Sequence, residues 1–173
     1  MNNQSIFELH ENIKKMKKVI LTIIAITALG FVSNAQVEAH AIGARLGGGY
    51  YGAGGEVSYQ HGMGDANRIE VDFGWSGKSS VNYMSFTGIY HWVFELDGGF
   101  NWYAGPGAQF ILASANGSSA TAFGAGGQLG LEYNFNTNDV PLLLSLDTRP
   151  MMNFGNGGSN FGWGVALGVK YTF

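Results

Sequence analysis

Residues 161–173 read FGWGVALGVKYTF, and they carry the clearest alternation of side chains in the chain. Every odd-numbered position, from Phe161 to Phe173, carries a large apolar side chain, while the even-numbered positions carry Gly, Ala, Lys or Thr. A β-strand places alternate side chains on opposite faces, so this pattern predicts a strand with one apolar face and one small or polar face. A strand of this length is long enough to cross a bilayer, because a tilted strand needs only about 9–11 residues.

The same period of two recurs in seven earlier segments of the chain. They lie near residues 39–48, 53–61, 68–75, 81–94, 100–110, 128–135 and 142–149. The segment near 81–94 is apolar on both faces, and its orientation is therefore less determined than that of the others. We expect its large residues to point outward, namely Met84, Phe86, Tyr90, Trp92 and Phe94.

Clusters of Gly, Asn, Asp and Ser separate these segments, as is typical of turns. The clusters lie near residues 49–54, 62–67, 77–80, 95–99, 112–120, 136–141 and 153–159. Seven connections imply eight strands, and an even number returns both chain ends to one side of a barrel. The pattern predicts an all-β fold over residues 36–173, an eight-stranded antiparallel up-and-down barrel that crosses a membrane.

The first 35 residues have the features of a secretory signal peptide with an N-terminal extension. Four lysines at 14, 15, 17 and 18 flank Met16, and an apolar run over 19–32 follows them. That run is too short to span a membrane, and the small residues before Gln36 suit a signal peptidase. We expect cleavage between Ala35 and Gln36, with Met16 as the true start; a buried N-terminal helix is the alternative.

Composition narrows the class of protein further. The chain contains 28 Gly and no Cys, which excludes a disulfide framework and a thiolate metal site. From Gln36 onward five Lys and Arg stand against ten Asp and Glu, a formal charge of −5. A nucleic-acid partner would require a basic patch, so we expect none.

The two faces of the strands distinguish a membrane barrel from a soluble one. The polar face is rich in Gly and Ala, which suit a narrow, crowded lumen better than a solvated surface. Aromatic residues on the apolar face gather toward the strand ends, as in the two aromatic girdles of a membrane barrel. One group comprises Trp75, Phe161 and Trp163, and the other comprises Trp102, Tyr133, Phe135, Tyr171 and Phe173.

With this pattern, and with a last strand that ends GVKYTF, the chain resembles the small bacterial outer-membrane β-barrel family of OmpA/OmpX-like proteins. Val169, Tyr171 and Phe173 look like the terminal assembly signal of that family. The resemblance implies a bacterial outer-membrane location, contact with outer-membrane lipids, and recognition by the barrel-assembly machinery during insertion. We expect a monomer.

Residues that could carry chemistry are scattered. His40, His61 and His91 fall on separate segments without metal-binding spacing, and we interpret them as solvated or interfacial. Ser58 and His61 should face opposite ways on a regular strand. The Gly-rich runs near 47–49 and 124–127 lack the helix and Lys of a phosphate loop. We expect no catalytic residues, no metal site and no cofactor.

Charged residues on the inward face are the most informative polar set. They are Arg45, Glu56, Arg68, Glu70, Asp72, Glu132, Asp147, Arg149 and Lys170. We expect them to pair inside the barrel, because isolated buried charges are very costly. Arg45 should lie beside Glu56 and Lys170, with Asp147 near Lys170. The network should be completed by pairing of Arg68 and Arg149 with Glu70, Asp72 and Glu132. The leading functional hypothesis is a non-enzymatic barrel with a structural or envelope-integrity role and a lumen filled by side chains. A minor channel for small or hydrophobic solutes is the first alternative, and a lipid-modifying enzyme is the second.

Overall fold

The computed structural model describes residues 37–115, 117–155 and 158–173, and these residues form a β-sheet closed on itself. Its strands are β1 (His40–Gly49), β2 (Gly52–Gly62), β3 (Asn67–Lys78), β4 (Val81–Asp97), β5 (Phe100–Ala115), β6 (Ser118–Asn134), β7 (Leu142–Thr148), β8 (Met151–Gly155), β9 (Gly158–Gly162) and β10 (Gly164–Thr172). A short 3-10 helix, Phe135–Asn138, follows β6. No described helix is long and apolar enough to cross a membrane.

The sheet closes into a barrel because β1 pairs with both β2 and β10. Neighbouring strands pair antiparallel in chain order from β1 to β6, and β6 then pairs with β7 and β8. The ten strands make up eight strands around the barrel, here called wall strands. This is because β8 continues β7 and β10 continues β9, each with the same register against its neighbour. Pro150 explains the first interruption: it accepts a bond from Gly127 N at 3.1 Å but has no N–H to return. The predicted eight-stranded antiparallel barrel is confirmed.

Several strands extend further than the alternation indicates. β5 and β6 form one long hairpin in which Ala115 pairs with Ser118, so most of the predicted connection over 112–120 is strand. Likewise β8 and β9 occupy most of the predicted loop at 153–159. Both loop predictions were wrong in extent. The side chains in these two regions are small or polar and do not alternate with apolar ones. The backbone hydrogen bonds between the strands do not need such alternation, so the pairing continues.

The barrel is apolar outside and polar inside. Buried polar and charged residues outnumber buried apolar ones among the described residues, and most of the exposed large side chains are apolar. A soluble protein shows the opposite distribution, whereas a barrel surrounded by lipid requires this one. On β4, Met84, Phe86 and Trp92 are exposed while Ile89 and Val93 are buried, which confirms the outward orientation predicted for that segment.

Two ends of the barrel can be distinguished. At the terminal end, β1 begins beside the close of β10, where Ala41 pairs with Thr172. At the hairpin end, tight turns at 50–51 and 79–80 join β1 to β2 and β3 to β4. Ser79 and Ser80 both have positive φ values, 50° and 68°, which a two-residue hairpin turn with right-handed strand twist requires. The signal peptide and its cleavage position, Ala35 and Gln36, lie outside the described residues.

The charged interior of the barrel as candidate functional site

All eight wall strands contribute polar side chains to the interior. Inward-facing positions alternate with lipid-facing ones along each strand, so the register of the sheet decides which side chains meet. Eight of the nine charged residues singled out from the sequence are buried, namely Arg45, Arg68, Glu70, Asp72, Glu132, Asp147, Arg149 and Lys170. Glu56 is the exception, with its side chain 25% exposed. Carboxylates therefore outnumber cations in this interior set by five to four.

The first cluster is built around Arg45 and Arg149. Arg45 donates to both carboxylate oxygens of Asp147, through Nε at 3.2 Å and through Nη2, and its Nη1 pairs with Glu56. Arg149 lies 2.6 Å from Asp72 through Nη2 and 3.2 Å from Glu56 through Nη1. Two-point contacts between guanidinium and carboxylate fix orientation as well as charge. The cluster joins β1, β2, β3 and β7 across the lumen.

The second cluster lies nearer the terminal end, around Arg68. Its guanidinium donates to both oxygens of Glu132, at 3.0 and 2.6 Å, and lies 4.7 Å from the centre of the Tyr103 ring. Arg68 Nε also lies 3.3 Å from Nδ1 of His91, whose other ring nitrogen is 3.3 Å from Gln128 Oε1. The buried cation is thus satisfied by a carboxylate, an imidazole and an aromatic face.

Glu70 connects the two clusters. Lys170 Nζ lies 3.2 Å from Glu70 Oε2, and Arg149 Nη2 lies 3.4 Å from Glu70 Oε1. Gln60 donates to the same carboxylate at 2.5 Å, and Gln128 of the second cluster donates to Glu70 Oε1 at 3.4 Å. The result is one connected polar network rather than separate ion pairs.

The prediction that Asp147 lies near Lys170 was wrong. In the register of β7 with β10, Asp147 lies opposite Ala166 and Lys170 lies opposite Leu143. Four residues separate those levels, about 13 Å along a strand. Asp147 binds Arg45 instead, and Lys170 reaches across the lumen to Glu70.

Inward-facing glycines make room for these large side chains. A Cβ atom at Gly130 would lie 2.5 Å from the Tyr103 hydroxyl oxygen and 2.8 Å from Asp147 Cβ. One at Gly74 would lie 2.6 Å from Ser85 Oγ and 2.9 Å from the stem of Glu56. The interior of an eight-stranded barrel is just wide enough for side chains to fill. A large inward-facing side chain on one strand therefore requires a small residue on the neighbouring strand.

Sequence reasoning missed several members of the network. His91 is fully buried in the lumen, so the interpretation of this residue as solvated or interfacial was wrong. Tyr103 and Gln128 are also buried there, and Tyr103 donates to Asp147 at 3.3 Å. Their odd or even position along the strand could have identified them, because each occupies an inward-facing position of an alternating strand. The prediction that Ser58 and His61 face opposite ways is confirmed, since Ser58 is buried and His61 is exposed.

At the hairpin end, above the first cluster, the interior holds a cavity of about 140 Å³. Its wall runs from Tyr50 and Tyr51 at the turn to Arg45, Glu56 and Arg149, so those ion pairs form its inner limit. Partial burial of Tyr51, with Tyr50 and Tyr83 beside it, raises the pKa of its hydroxyl to about 12. The cavity therefore has neutral aromatic walls and a charged base.

Aromatic residues mark both ends of the outer surface. Trp75, Phe161 and Trp163 are exposed near the hairpin end, and Tyr171 and Phe173 are exposed at the terminal end. Val169 lies on the same face, so the three residues of the proposed assembly signal form one apolar row on the last wall strand. Within the described part of the chain, no group of three or more His, Cys, Asp or Glu could hold a metal ion.

These features define a closed eight-stranded barrel with an apolar exterior and a charged interior. The fold is similar to that of Neisserial surface protein A, with a TM-score of 0.57 and 19% identity over 78% of this chain and 96% of that one. It is also similar to the N-terminal β-barrel domain of Pseudomonas aeruginosa OprF, with a TM-score of 0.52 and 20% identity over 77% and 97% of the chains. No protein-family model and no curated protein sequence matches the chain. The chain thus has the fold of the eight-stranded outer-membrane barrels.

Proposed function

We propose that this protein resides in the bacterial outer membrane as a non-enzymatic barrel with a structural role in the envelope. Two observations support the location: the apolar exterior and the similarity of the fold to outer-membrane barrels. The observation that supports the structural role is the interior network. Arg45, Arg68, Arg149 and Lys170 are each buried against carboxylates that come from other wall strands.

The network favours a lumen closed to solute flow. Open aqueous pores belong to barrels with about sixteen or more strands, whereas the interior of eight strands is just wide enough for side chains to fill or for one small ligand. To let a solute pass, at least one buried ion pair would have to separate in a medium of low dielectric constant. The closed interior supports a barrel whose contribution is to occupy and reinforce the membrane.

A planar-bilayer recording tests this proposal. The purified protein should show no sustained conductance, while a sixteen-stranded porin reconstituted in parallel should show open-channel currents. Insertion of the protein must be shown independently, by protection of its strands from protease in the same lipid. Stable single-channel currents from the wild-type protein, altered by Arg45→Ala or Asp147→Ala, would overturn the closed lumen.

The minor channel remains the second candidate because of the cavity at the hairpin end. That cavity gives a solute a way into the interior as far as Arg45 and Glu56. A channel requires the route to continue past these residues to the terminal end. The bilayer recording therefore separates the two candidates directly.

A further inference from the structure

Two histidines that are distant in the sequence meet at the terminal end of the barrel. His40 opens β1, and His61 lies directly opposite it near the close of β2. The next pair along, Ala39 and Gly62, is hydrogen-bonded, with Gly62 N donating to Ala39 O at 2.9 Å. Hydrogen-bonded and non-hydrogen-bonded pairs alternate in an antiparallel ladder, so His40 and His61 form a non-hydrogen-bonded pair. Side chains of such pairs approach each other most closely.

The two imidazole rings turn the same nitrogen toward each other. Nδ1 of His40 lies 3.4 Å from Nδ1 of His61, and the ring centres are 5.1 Å apart. Two protonated nitrogens would repel at that distance, so at least one of them presents its lone pair. The Tyr59 hydroxyl lies 2.8 Å from the same nitrogen of His40. Three polar atoms therefore converge on one small region of the surface.

The separation of the nitrogens matches a metal site better than a hydrogen bond. Hydrogen bonds donated by N–H groups in proteins centre near about 2.9–3.0 Å, so 3.4 Å is long. Two imidazole nitrogens bound to one tetrahedral Zn²⁺ at about 2.0–2.1 Å are about 3.4 Å apart. An ion could therefore enter between these rings without moving the backbone of either strand.

We propose that His40 and His61 form a two-histidine binding site for a divalent transition-metal ion such as Zn²⁺. Both ligands are the Nδ1 atoms, and water completes the coordination. Imidazole nitrogen suits zinc, copper and nickel, and the pair lies at the terminal rim, where β1 begins, so an ion can approach it from water at that end of the barrel. Binding requires both histidines to be neutral with their protons on Nε2, and the Tyr59 hydroxyl must release Nδ1 of His40.

The neighbouring aromatic rings hold His40 in place before any ion binds. Its ring stacks on Phe173, with centres 5.4 Å apart and planes at 23°, and lies 6.2 Å from the ring of Tyr59. A ligand whose orientation is already fixed loses less conformational entropy on binding. The site lies on the lipid-facing side of the wall at its terminal rim, apart from the charged interior, and it does not depend on the closed-lumen proposal.

Metal titration of the full chain tests the site. The protein is prepared without a polyhistidine tag, folded in detergent micelles, and titrated with Zn²⁺ by calorimetry and with Co²⁺ by visible absorption. One equivalent of metal should bind per chain. His61→Gln should weaken binding by more than about tenfold. The matched control is His91→Gln, which removes the histidine buried in the lumen and should leave the affinity of the folded protein for the metal unchanged.

A second measurement does not depend on any variant. Pulsed electron paramagnetic resonance of the wild-type protein loaded with one equivalent of Cu²⁺ should show coupling to two imidazole rings. Coupling to one ring or to none would overturn the proposal. So would equal affinity of the wild-type protein and His61→Gln, or the absence of binding to the wild-type protein.

Discussion

Arg45→Ala is the substitution that tests the interior network most directly. Arg45 is buried and binds two carboxylates, one on the neighbouring strand β2 and one across the lumen on β7. After the change, Glu56 keeps its contact with Arg149 at 3.2 Å and is 25% exposed to solvent. Asp147 is 0% exposed and keeps only the hydroxyl of Tyr103, at 3.3 Å. The loss of stability should therefore come mainly from Asp147, whose buried carboxylate loses its cation.

The expected loss of stability follows from that difference. Removing one partner of a buried ion pair typically costs about 3–5 kcal/mol, because the remaining charge stays buried and unpaired. The partly solvated Glu56 should add little to this. The matched control is Lys78→Ala, which removes an exposed cation whose contacts are with the carbonyl and ring of Tyr50, and it should change stability by about 1 kcal/mol or less.

Urea unfolding in detergent micelles, followed by tryptophan fluorescence, measures the effect. Adding Asp147→Asn to Arg45→Ala should restore part of the lost free energy of unfolding, since the neutral amide no longer leaves a charge unpaired. A loss of less than about 1 kcal/mol for Arg45→Ala would contradict the expected cost of an unpaired buried charge. A double variant less stable than the single one would contradict it as well.

Three further predictions concern packing, assembly and export. Gly130→Ala should destabilise the barrel by about 1–3 kcal/mol in the same unfolding assay, because the new Cβ meets Tyr103. Gly88→Ala, which meets nothing within 4 Å, should be nearly neutral, and equal losses would contradict the packing argument. Deleting Phe173 should lower membrane insertion in cells more than refolding in detergent, and a similar drop in both would remove the case for an assembly signal. The exported protein should begin at Gln36 by intact mass, so retention of the preceding apolar run would disprove cleavage.

Much of the fold could be predicted because alternation is a local property. Whether Arg68 or Tyr171 faces the lumen depends only on its position along one strand, and a single slip would reverse the whole strand. The number of strands followed from the turns between them. The extent of β6 could not be predicted, since its first residues, from Ser118 onward, are small and carry no apolar period.

The sequence alone could not predict which inward-facing side chains contact each other. Its pattern placed Asp147 and Lys170 inside together, but the register of β7 with β10 set them apart. His91 lies on the inward face of β4 directly opposite Arg68 of β3, and the pairing of β4 with β5 and of β5 with β6 brings Gln128 beside it.

The sequence by itself determined which residues share a face of a strand, because a strand has a period of two wherever it lies. The tertiary structure alone decided which of those residues touch. Closure and stagger of the sheet bring together side chains from strands that are far apart in the chain. Arg45 with Asp147 shows this inside the barrel, whereas His40 and His61 meet at the rim because the register of β1 with β2 sets them opposite each other. Neither distance is contained in the alternation of either strand.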